Sequence, residues 1–351
     1  MKHTRKLSLI LFSLLILTAC QIPPAVAPPA LPLLPTFTST PTATHTATLT
    51  ATQTTIPIQT ATHTPTETVT PSFTPTFAAP ARRVVIISID GLRPEAVFLA
   101  PMPNLAALMQ SGAFSLGAQT VFPSVTLVAH TSMLSGMCPS KHGVDWNDYL
   151  PERGYAQGTD LFDLAHAAGL STVMYVGKQK LSQITEPTSL DKYIFIADTD
   201  TAFMGSLIAN FPEDLGVLFI HLVATDEVGH EFGWLSQEQL SIIRGADEAL
   251  GMLLAELEAR NLRGETLIIV TSDHGGYGNG HGTDTREDMT IPWVAAGPGV
   301  QPVTLTTRVH TMDTAATAAF ALGLSIPPEW DGVPVYEAFG LPVEGQSMQC
   351  E

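Results

Sequence analysis

Three continuous runs of valine, isoleucine and leucine lie along the chain, and each ends at an aspartate. RVVIISID ends at Asp90, LGVLFIHLVATD ends at Asp226, and ETLIIVTSD ends at Asp273. Continuous apolar runs, as opposed to alternating ones, are typical of strands that are covered on both faces, as in a parallel sheet. A fourth strand is predicted for STVMYVG, which comes shortly after Gly169.

Stretches with helical spacing separate these strands, namely MPNLAALMQSG, TDLFDLAHAAGL and SQEQLSIIRGADEALGMLLAELEARN. The alternation predicts an α/β fold with a doubly wound, mostly parallel sheet and helices on both faces. In such folds ligands bind beyond the carboxyl ends of the strands. One terminal acid is commonly a helix cap. Three of them, accompanied by histidines, indicate a functional site at this edge.

The N-terminal part of the chain carries targeting signals. Three basic residues precede the apolar run from Leu7 to Ala19, which is short for a bilayer span but suits an export signal. The tetrad that ends at Cys20 resembles the bacterial lipobox, which implies acylation of Cys20 and a lipid-anchored, extracytoplasmic protein. An ordinary secretory signal with an accidental cysteine, or an uncleaved anchor, is the alternative.

Residues 20–80 are almost wholly Thr, Pro, Ala and isolated apolar residues, as in TSTPTATHTATLTATQTT. Such a composition cannot bury a core and predicts a disordered or extended stalk, and it also suits O-glycosylation. The predicted organisation is therefore a lipoprotein signal at 1–19, a stalk at 20–80 and one catalytic domain at 81–345.

The chain of 351 residues has a formal net charge of −17. Nucleic-acid binding depends on basic patches, so no nucleic-acid polymer is expected as a partner. An anionic substrate would need a local source of positive charge, which bound metal can provide. Besides Cys20 there are two cysteines, Cys138 and Cys350. They could pair outside the cytoplasm, but we favour Cys138 as a buried small apolar residue.

The residues around the second and third aspartates have the spacing of metal ligands. Asp226 and His230 are four positions apart, which places both on one face if the segment is helical. Asp273 and His274 are adjacent, and His281 follows after a glycine-rich reach. Carboxylate and imidazole without thiolate suit zinc, manganese or iron, and paired sites favour phosphoryl chemistry.

A nucleophile for that chemistry is offered by Thr126, which precedes an apolar helical run in FPSVTLVAHTSMLSG. Metal coordination at a helix N-terminus would lower the pKa of its hydroxyl and orient it. Taken alone, a threonine at a helix start is more often an N-cap.

Four ordered motifs, IISIDGLRPE, FPSVTLVAHTSMLSGMCPSKHG, ATDEVGHEFG and SDHGG…HGT, resemble the alkaline phosphatase superfamily, specifically its type I phosphodiesterase/nucleotide pyrophosphatase family. The resemblance extends from residue 82 to about residue 302. It implies a small phosphate-ester substrate, a covalent phosphothreonine intermediate at Thr126, and two divalent metal ions, with Zn²⁺ the expected metal. The implied ligands are Asp90, Thr126, Asp273 and His274 for one ion, and Asp226, His230 and His281 for the other.

Further site residues come from the same comparison of motifs. Asn147 lies where the family has an asparagine that donates to a phosphate oxygen, although alone it would be a turn residue. Lys178 and Lys180, in YVGKQKL, resemble a Lys-x-Lys pair that holds the anionic end of the substrate in certain monoesterases and phosphonoacetate hydrolases. The alternative is a solvated basic pair.

The reach from His274 to His281 is short, and the modest segment between Lys141 and Ile220 leaves no large cap domain. Nucleotide specificity is therefore not expected to follow from the family resemblance. Cys138-Pro139 lacks the Cys-x-Pro-x-Arg order of sulfatases, which argues against sulfatase activity. The serine nucleophile and cytosolic setting of cofactor-independent phosphoglycerate mutase relatives argue against that group.

The predicted function is a two-metal phosphoric-ester hydrolase of the phosphodiesterase/pyrophosphatase type. A phosphomonoesterase or phosphonoacetate hydrolase-like enzyme is one alternative, and a non-catalytic, metal-containing surface protein is another. Four further acids could hold a peripheral cation, but they are expected to be mostly solvated loop residues: Asp145, Asp148, Asp284 and Asp288.

Overall fold

The structure is a computed structural model that describes residues 79–343 and 345–350. The predicted signal at 1–19, the lipidation candidate Cys20 and the predicted stalk up to residue 78 lie outside the described residues. Within the described ranges, no helix has both the length and the apolar composition needed to cross a bilayer.

The described part of the chain contains eight strands and ten α-helices. The strands are β1 (Arg83–Ile89), β2 (Ala113–Gln119), β3 (Thr172–Val176), β4 (Lys192–Phe195), β5 (Val217–Leu222), β6 (Thr266–Thr271), β7 (Thr290–Ala296) and β8 (Val303–Thr304). The helices are α1 (Ala96–Leu99), α2 (Pro103–Ser111), α3 (Thr126–Ser135), α4 (Pro139–His142), α5 (Leu161–Ala167), α6 (Asp200–Ala209), α7 (Ala224–Phe232), α8 (Gln237–Ala259), α9 (Arg286–Met289) and α10 (Asp313–Ala321).

All eight strands form one sheet in the order β4-β3-β5-β1-β6-β7-β2-β8. The five strands from β4 to β6 are parallel, whereas β7 runs antiparallel to both β6 and β2. The three apolar runs that end in aspartate are β5, β1 and β6, three neighbouring strands in which Ile87 pairs with Ile220 on one side and Val270 on the other. The predicted mostly parallel α/β sheet is confirmed.

Helices cover both faces of this sheet, as predicted. Alternate residues of β1 point to opposite sides, so Ile86 packs in the core that contains α3, α5 and α10, while Ile87 packs in the core that contains α2, α6 and α8. Burial on both sides explains why the strands are apolar at every position. Each fully buried isoleucine or valine stabilises the fold by about 1.5–3 kcal/mol.

The predicted helices have identifiable start signals. The Asp160 carboxylate accepts hydrogen bonds from the amides of Phe162 and Asp163, which forms a capping box at the start of α5. The Ser236 hydroxyl accepts from the Gln239 amide at the start of α8. These bonds satisfy amides that have no partner within the helix.

The expectation that Cys138 is an unpaired apolar residue is wrong. Cys138 forms a disulfide with Cys350, which lies 212 positions away and beyond the predicted domain end at residue 345. The C-terminal segment returns to the end of α3, where the Asp331 carboxylate accepts from the Cys138 amide at 2.9 Å and the Asp331 amide donates to the Gly136 carbonyl. This return brings the two Cα atoms to 5.5 Å, a distance that a disulfide spans.

Candidate active site

The carboxyl ends of the three central strands place three acids together. Asp90 directly follows β1, Asp226 lies in the first turn of α7 after β5, and Asp273 lies two residues beyond β6. All three side chains are buried. Because β5, β1 and β6 are neighbours in the sheet, their ends bring residues that are far apart in sequence into one cluster.

Four buried atoms of this cluster have no hydrogen-bond partner among the described residues: Asp90 Oδ1, Asp226 Oδ1, Asp273 Oδ2 and His274 Nε2. His274 Nε2 lies 3.4 Å from Asp90 Oδ1, 3.3 Å from Asp273 Oδ2 and 4.0 Å from Asp226 Oδ1. The Nδ1–H of His274 donates to the Gly275 carbonyl at 2.8 Å, so Nε2 carries a free lone pair. Unpartnered buried acceptors are costly, and four that converge fit a bound cation.

A second group of possible ligands shares Asp226. His230 Nε2 and His281 Nε2 lie 3.5 Å and 3.6 Å from Asp226 Oδ1. Each ring has its Nδ1 held by a backbone carbonyl, that of Asn279 for His230 and that of Ser124 for His281. Both rings therefore present a free Nε2 toward the carboxylate. The segment with Asp226 and His230 is helical, as the predicted shared face requires.

The structure thus brings six of the seven predicted ligands into two overlapping groups. Ligand atoms of Asp226, His230 and His281, and likewise those of Asp90, Asp226 and His274, lie within 4.8 Å of one another. Asp273 joins the second of these groups through its contact with His274. Oxygen and imidazole donors without thiolate fit zinc or a similar divalent metal. The sequence analysis assigned Asp226 to only one of the two groups. That it faces both groups is visible only in the folded structure.

A histidine that the sequence analysis missed orients Asp90. The Gly177 amide donates to His221 Nδ1 at 3.2 Å, so the ring proton is on Nε2 and points at Asp90 Oδ2, 2.8 Å away. Asp90 Oδ2 is thereby occupied, and Oδ1 is the oxygen left for a metal. The only signal in the sequence was a histidine within the otherwise apolar run LFIHL.

The carboxyl groups differ in their ionisation. Burial opposes ionisation of Asp90, but the Lys178 ammonium and the His221 hydrogen bond outweigh it and hold the pKa of Asp90 well below its usual value. Burial, together with the neighbouring Asp90 charge, raises the pKa of Asp273 well above its usual value. Burial and the nearby His274 lower the pKa of His281 to about 4, so this imidazole is neutral and able to bind metal at pH 7.

Thr126 is the first residue of α3, and its side chain is fully buried. The N-cap position is taken by Val125, so Thr126 is not a capping residue, and its Oγ1 lies 3.3 Å from Lys178 Nζ. His130, another residue that the sequence analysis did not identify, fixes this turn. Its Nδ1–H donates to the Thr126 carbonyl at 2.7 Å, and its Nε2 accepts from the Ser88 hydroxyl at 2.8 Å.

The two lysines point in different directions. Lys178 Nζ lies 2.6 Å from Asp90 Oδ2 and 2.6 Å from Asp226 Oδ2, with the side chain 19% exposed. Lys180 Nζ instead lies 2.9 Å from Asn147 Oδ1. Burial and the neighbouring Lys178 lower the pKa of Lys180 from its usual value. Neither lysine is a freely solvated residue, so a basic pair in open solvent does not describe them.

The glycine-rich loop after β6 packs against Trp234, a third residue absent from the sequence prediction. The Trp234 indole N–H donates to the Gly91 carbonyl at 2.9 Å, and its ring meets the His230 ring edge-on with the centroids 5.2 Å apart. A Cβ atom on Gly276 would lie 2.2 Å from Trp234 Cε2. Glycine at this position therefore lets the loop pass over the indole and bring His281 back to the site.

The peripheral acids divide into two kinds. Asp145, Asp148 and Asp284 are exposed loop residues. Asp288 is buried, against expectation, because its Oδ2 accepts from both the amide and the hydroxyl of Thr283, at 2.9 Å and 2.7 Å. These two hydrogen bonds tie Asp288 to Thr283, which follows the glycine-rich loop.

A doubly wound sheet with paired Asp/His groups at the carboxyl ends of its strands is the architecture of the alkaline phosphatase superfamily. The sequence model of the type I phosphodiesterase/nucleotide pyrophosphatase family matches residues 84–279, more than half of the chain. The chain belongs to this family. The sulfatase family model matches residues 236–324, which is consistent with a shared superfamily.

Curated relatives resemble part of the chain. An uncharacterised pyrophosphatase/phosphodiesterase of Schizosaccharomyces pombe is 25% identical over 214 residues, covering 55% of this chain and 44% of the relative. The venom phosphodiesterase of Naja atra is 26% identical over 216 residues, covering 55% of this chain and 26% of the relative. The chain thus spans less than half the length of these relatives.

Solved structures support the fold. Murine ectonucleotide pyrophosphatase/phosphodiesterase 5 has a TM-score of 0.62 at 16% identity, covering 74% of this chain and 99% of that chain. The phosphonate monoester hydrolase of Silicibacter pomeroyi has a TM-score of 0.59 at 14% identity, covering 74% and 77%.

Proposed function

We propose that this protein is a phosphoric-ester hydrolase of the phosphodiesterase/pyrophosphatase type, with Thr126 as the nucleophile and two divalent metal ions, expected to be Zn²⁺. The observation that carries the proposal is the convergence of four buried ligand atoms that have no partner among the described residues, next to the Lys178 ammonium, which lies 2.6 Å from Asp90 Oδ2 and 3.3 Å from Thr126 Oγ1. Asp90, Asp273, His274 and Thr126 would hold one ion. Asp226, His230 and His281 would hold the other.

The metals would supply positive charge that acidifies the nucleophile and stabilises the developing negative charge on the phosphoryl group. The Thr126 oxygen attacks phosphorus, the bond between phosphorus and the ester oxygen breaks, and the alcohol leaves with one proton. Water then attacks the phosphothreonine, which releases the phosphate product and restores the hydroxyl. The Asn147 amide is suited to donate to a non-bridging phosphate oxygen throughout.

The position of Lys178 supports a phosphomonoesterase or phosphonate hydrolase as a second candidate. Its ammonium lies 3.3 Å from Thr126 Oγ1, where it could contact the extra negative charge of a monoester dianion. A comparison of p-nitrophenyl phosphate, bis(p-nitrophenyl) phosphate and phosphonoacetate, with and without chelator, separates the candidates. Faster turnover of the bis ester supports the diesterase, and faster turnover of the other two supports the second candidate.

The Thr126→Ala variant tests the mechanism. It should lose essentially all hydrolysis of these esters while it retains most bound zinc, because Asp90, Asp273 and His274 remain as ligands. Thr126→Ser is the matched control, which keeps a hydroxyl and should keep measurable turnover. Full activity of Thr126→Ala would exclude Thr126 as the nucleophile. Zinc binding without turnover of any ester by the native protein would instead favour a non-catalytic binding protein.

We also propose that Cys20 is lipidated and that the protein is anchored outside the cytoplasm. The lipobox-like tetrad Leu17-Thr18-Ala19-Cys20 supports this. In a bacterial host the native chain should partition into the detergent phase and carry a diacylglyceryl modification detectable by mass spectrometry, whereas Cys20→Ala should lose that modification. An unmodified Cys20 in the exported protein would contradict the proposal.

A further inference from the structure

The short 3-10 helix after β3, Gln179–Gln183, lies against the loop that carries Asn147. Residues three apart in a 3-10 helix share one face. Two such residues, Lys180 and Gln183, contact two loop residues that are also three apart, Asn147 and Leu150.

Gln183 fixes the loop backbone. Its Oε1 accepts from the Leu150 amide at 2.8 Å, and its Nε2 donates to the carbonyls of Leu150 and Gly154 at 2.7 Å and 2.8 Å. Gln183 is only 2% exposed, so these bonds are shielded from competing water. The loop and the 3-10 helix therefore hold a defined register next to the site.

Lys180 fixes the side chain of Asn147. The side-chain oxygen of Asn147 accepts from the Lys180 ammonium and from the Leu127 backbone amide, each at 2.9 Å. An ammonium and a backbone amide can only donate, so the atom between them must be the oxygen of the carboxamide. The NH₂ group of Asn147 must then point away from both donors, and it makes no hydrogen bond to any other residue in 79–343 or 345–350.

We propose that Lys180 is a positioning residue that acts through Asn147: it locks the carboxamide so that its NH₂ group faces the phosphoryl group beside Thr126. Leu127 directly follows Thr126, so the second donor ties the same amide to the nucleophile turn. The proposal rests on the function proposed above, and it separates Lys180 from the direct substrate contact that the Lys-x-Lys resemblance implies. Replacement of Lys180 should therefore lower kcat for monoesters and for diesters alike.

A double-mutant cycle tests the coupling. Asn147→Ala should lower kcat by about a hundredfold or more, as loss of one oxyanion donor does. Lys180→Met should lower kcat by roughly tenfold, because misorientation of one group weakens alignment without abolishing it. In the double variant the Lys180→Met effect should vanish, since no carboxamide remains to orient. The proposal would be overturned if the two single-variant losses in kcat multiplied in the double variant. It would also be overturned if Lys180→Met lowered kcat for the monoester alone. Lys192→Met, an exposed lysine of β4, is the matched control and should retain native kcat.

A second measurement does not depend on catalysis. In ¹⁵N-correlated NMR spectra of the full chain, the side-chain amide signals of Asn147, assigned by their loss in Asn147→Ala, should shift in Lys180→Met and not in Lys192→Met. Unchanged signals in Lys180→Met would show that Lys180 does not hold the carboxamide. Failure of the native protein to hydrolyse any ester would refute the proposed function, whereas this spectrum would still decide the role of Lys180.

Discussion

At the scale of single residues, the site is defined by which atom of each side chain remains free. Asp90 Oδ2 is occupied by His221 and Lys178, and the Nδ1 atoms of His230, His274 and His281 are held by carbonyls. Hydrogen bonding on one side of each group therefore selects the atom that faces the cluster. This selection depends on neighbours that are distant in sequence.

Lys178 gives a prediction at this scale. Its ammonium lies 2.6 Å from carboxylate oxygens of both Asp90 and Asp226, where it repels an incoming cation. Lys178→Met should therefore bind Zn²⁺ more tightly, by about tenfold or more, as measured by competition with a chromogenic chelator. The same substitution at exposed Lys192 should leave zinc affinity unchanged. Equal or weaker zinc binding by Lys178→Met would contradict the prediction.

His142 gives a prediction about pH. Burial lowers the pKa of His142 from 6.5 to about 4, and the neutral ring accepts from the Val144 amide while its Nε2 contacts the Ser132 hydroxyl. Because the folded-state pKa lies below the unfolded one, its contribution is complete above pH 6.5 and is lost as the pH falls toward 4. The full loss corresponds to about 3 kcal/mol at most.

Four buried carboxyl groups with raised pKa values act in the opposite direction, those of Asp160, Asp200, Asp273 and Asp313. The measurement is therefore the difference between native protein and His142→Gln in the free energy of unfolding, taken by urea denaturation from pH 7 to pH 4. That difference should shrink as the pH falls. If the difference were constant from pH 7 to pH 4, the neutral His142 ring would not be a source of the pH-dependent stability.

At the scale of elements, the apolar runs predicted the central strands, and the helical spacing predicted the helices α2, α5 and α8. The antiparallel part of the sheet was not predicted. β2 has mixed polarity in AFSLGAQ, and β7, TIPWVAA, contains a proline, which is disfavoured inside a sheet, so neither pattern predicts a central strand. Their pairing depends on tertiary contacts that no local pattern encodes.

The glycine-rich loop supplies the prediction at this scale. Gly276→Ala should displace the loop, because the new Cβ would lie 2.2 Å from Trp234 Cε2, and it should weaken zinc binding through His230 and His281. Gly280→Ala is a matched control in the same loop, since a Cβ there meets no atom within 4 Å. The zinc affinity, measured by calorimetric titration, and the rate of ester hydrolysis should each fall by roughly tenfold or more in Gly276→Ala. Both should remain near the native values in Gly280→Ala. Equal zinc affinity and equal ester turnover in the two variants would show that the close packing of Gly276 on Trp234 does not position the loop.

At the scale of the whole molecule, the acidic protein keeps a cluster of buried ligand atoms that have no hydrogen-bond partner within the described part of the chain. A divalent cation should therefore stabilise the fold strongly. At a hundredfold excess over its Kd, Zn²⁺ should add about 2.7 kcal/mol and raise the Tm by roughly 5 °C or more. Asp226→Asn should reduce this shift more than His230→Ala does, because Asp226 faces both groups. An unchanged Tm with Zn²⁺, measured by calorimetry, would contradict the metal site.

The sequence by itself determined the α/β class, the central parallel strands and the residue types of the site. Apolar periodicity reports burial on one or both faces, and ligand chemistry is local to each motif. The tertiary structure alone decided that Asp226 faces both groups of possible ligands, that His130, His221 and Trp234 contact the site, and that Cys138 pairs with Cys350. It also decided that Lys178 and Lys180 have different partners. Each of these facts depends on distances between residues far apart in sequence, which are set by strand order and by the path of the returning chain.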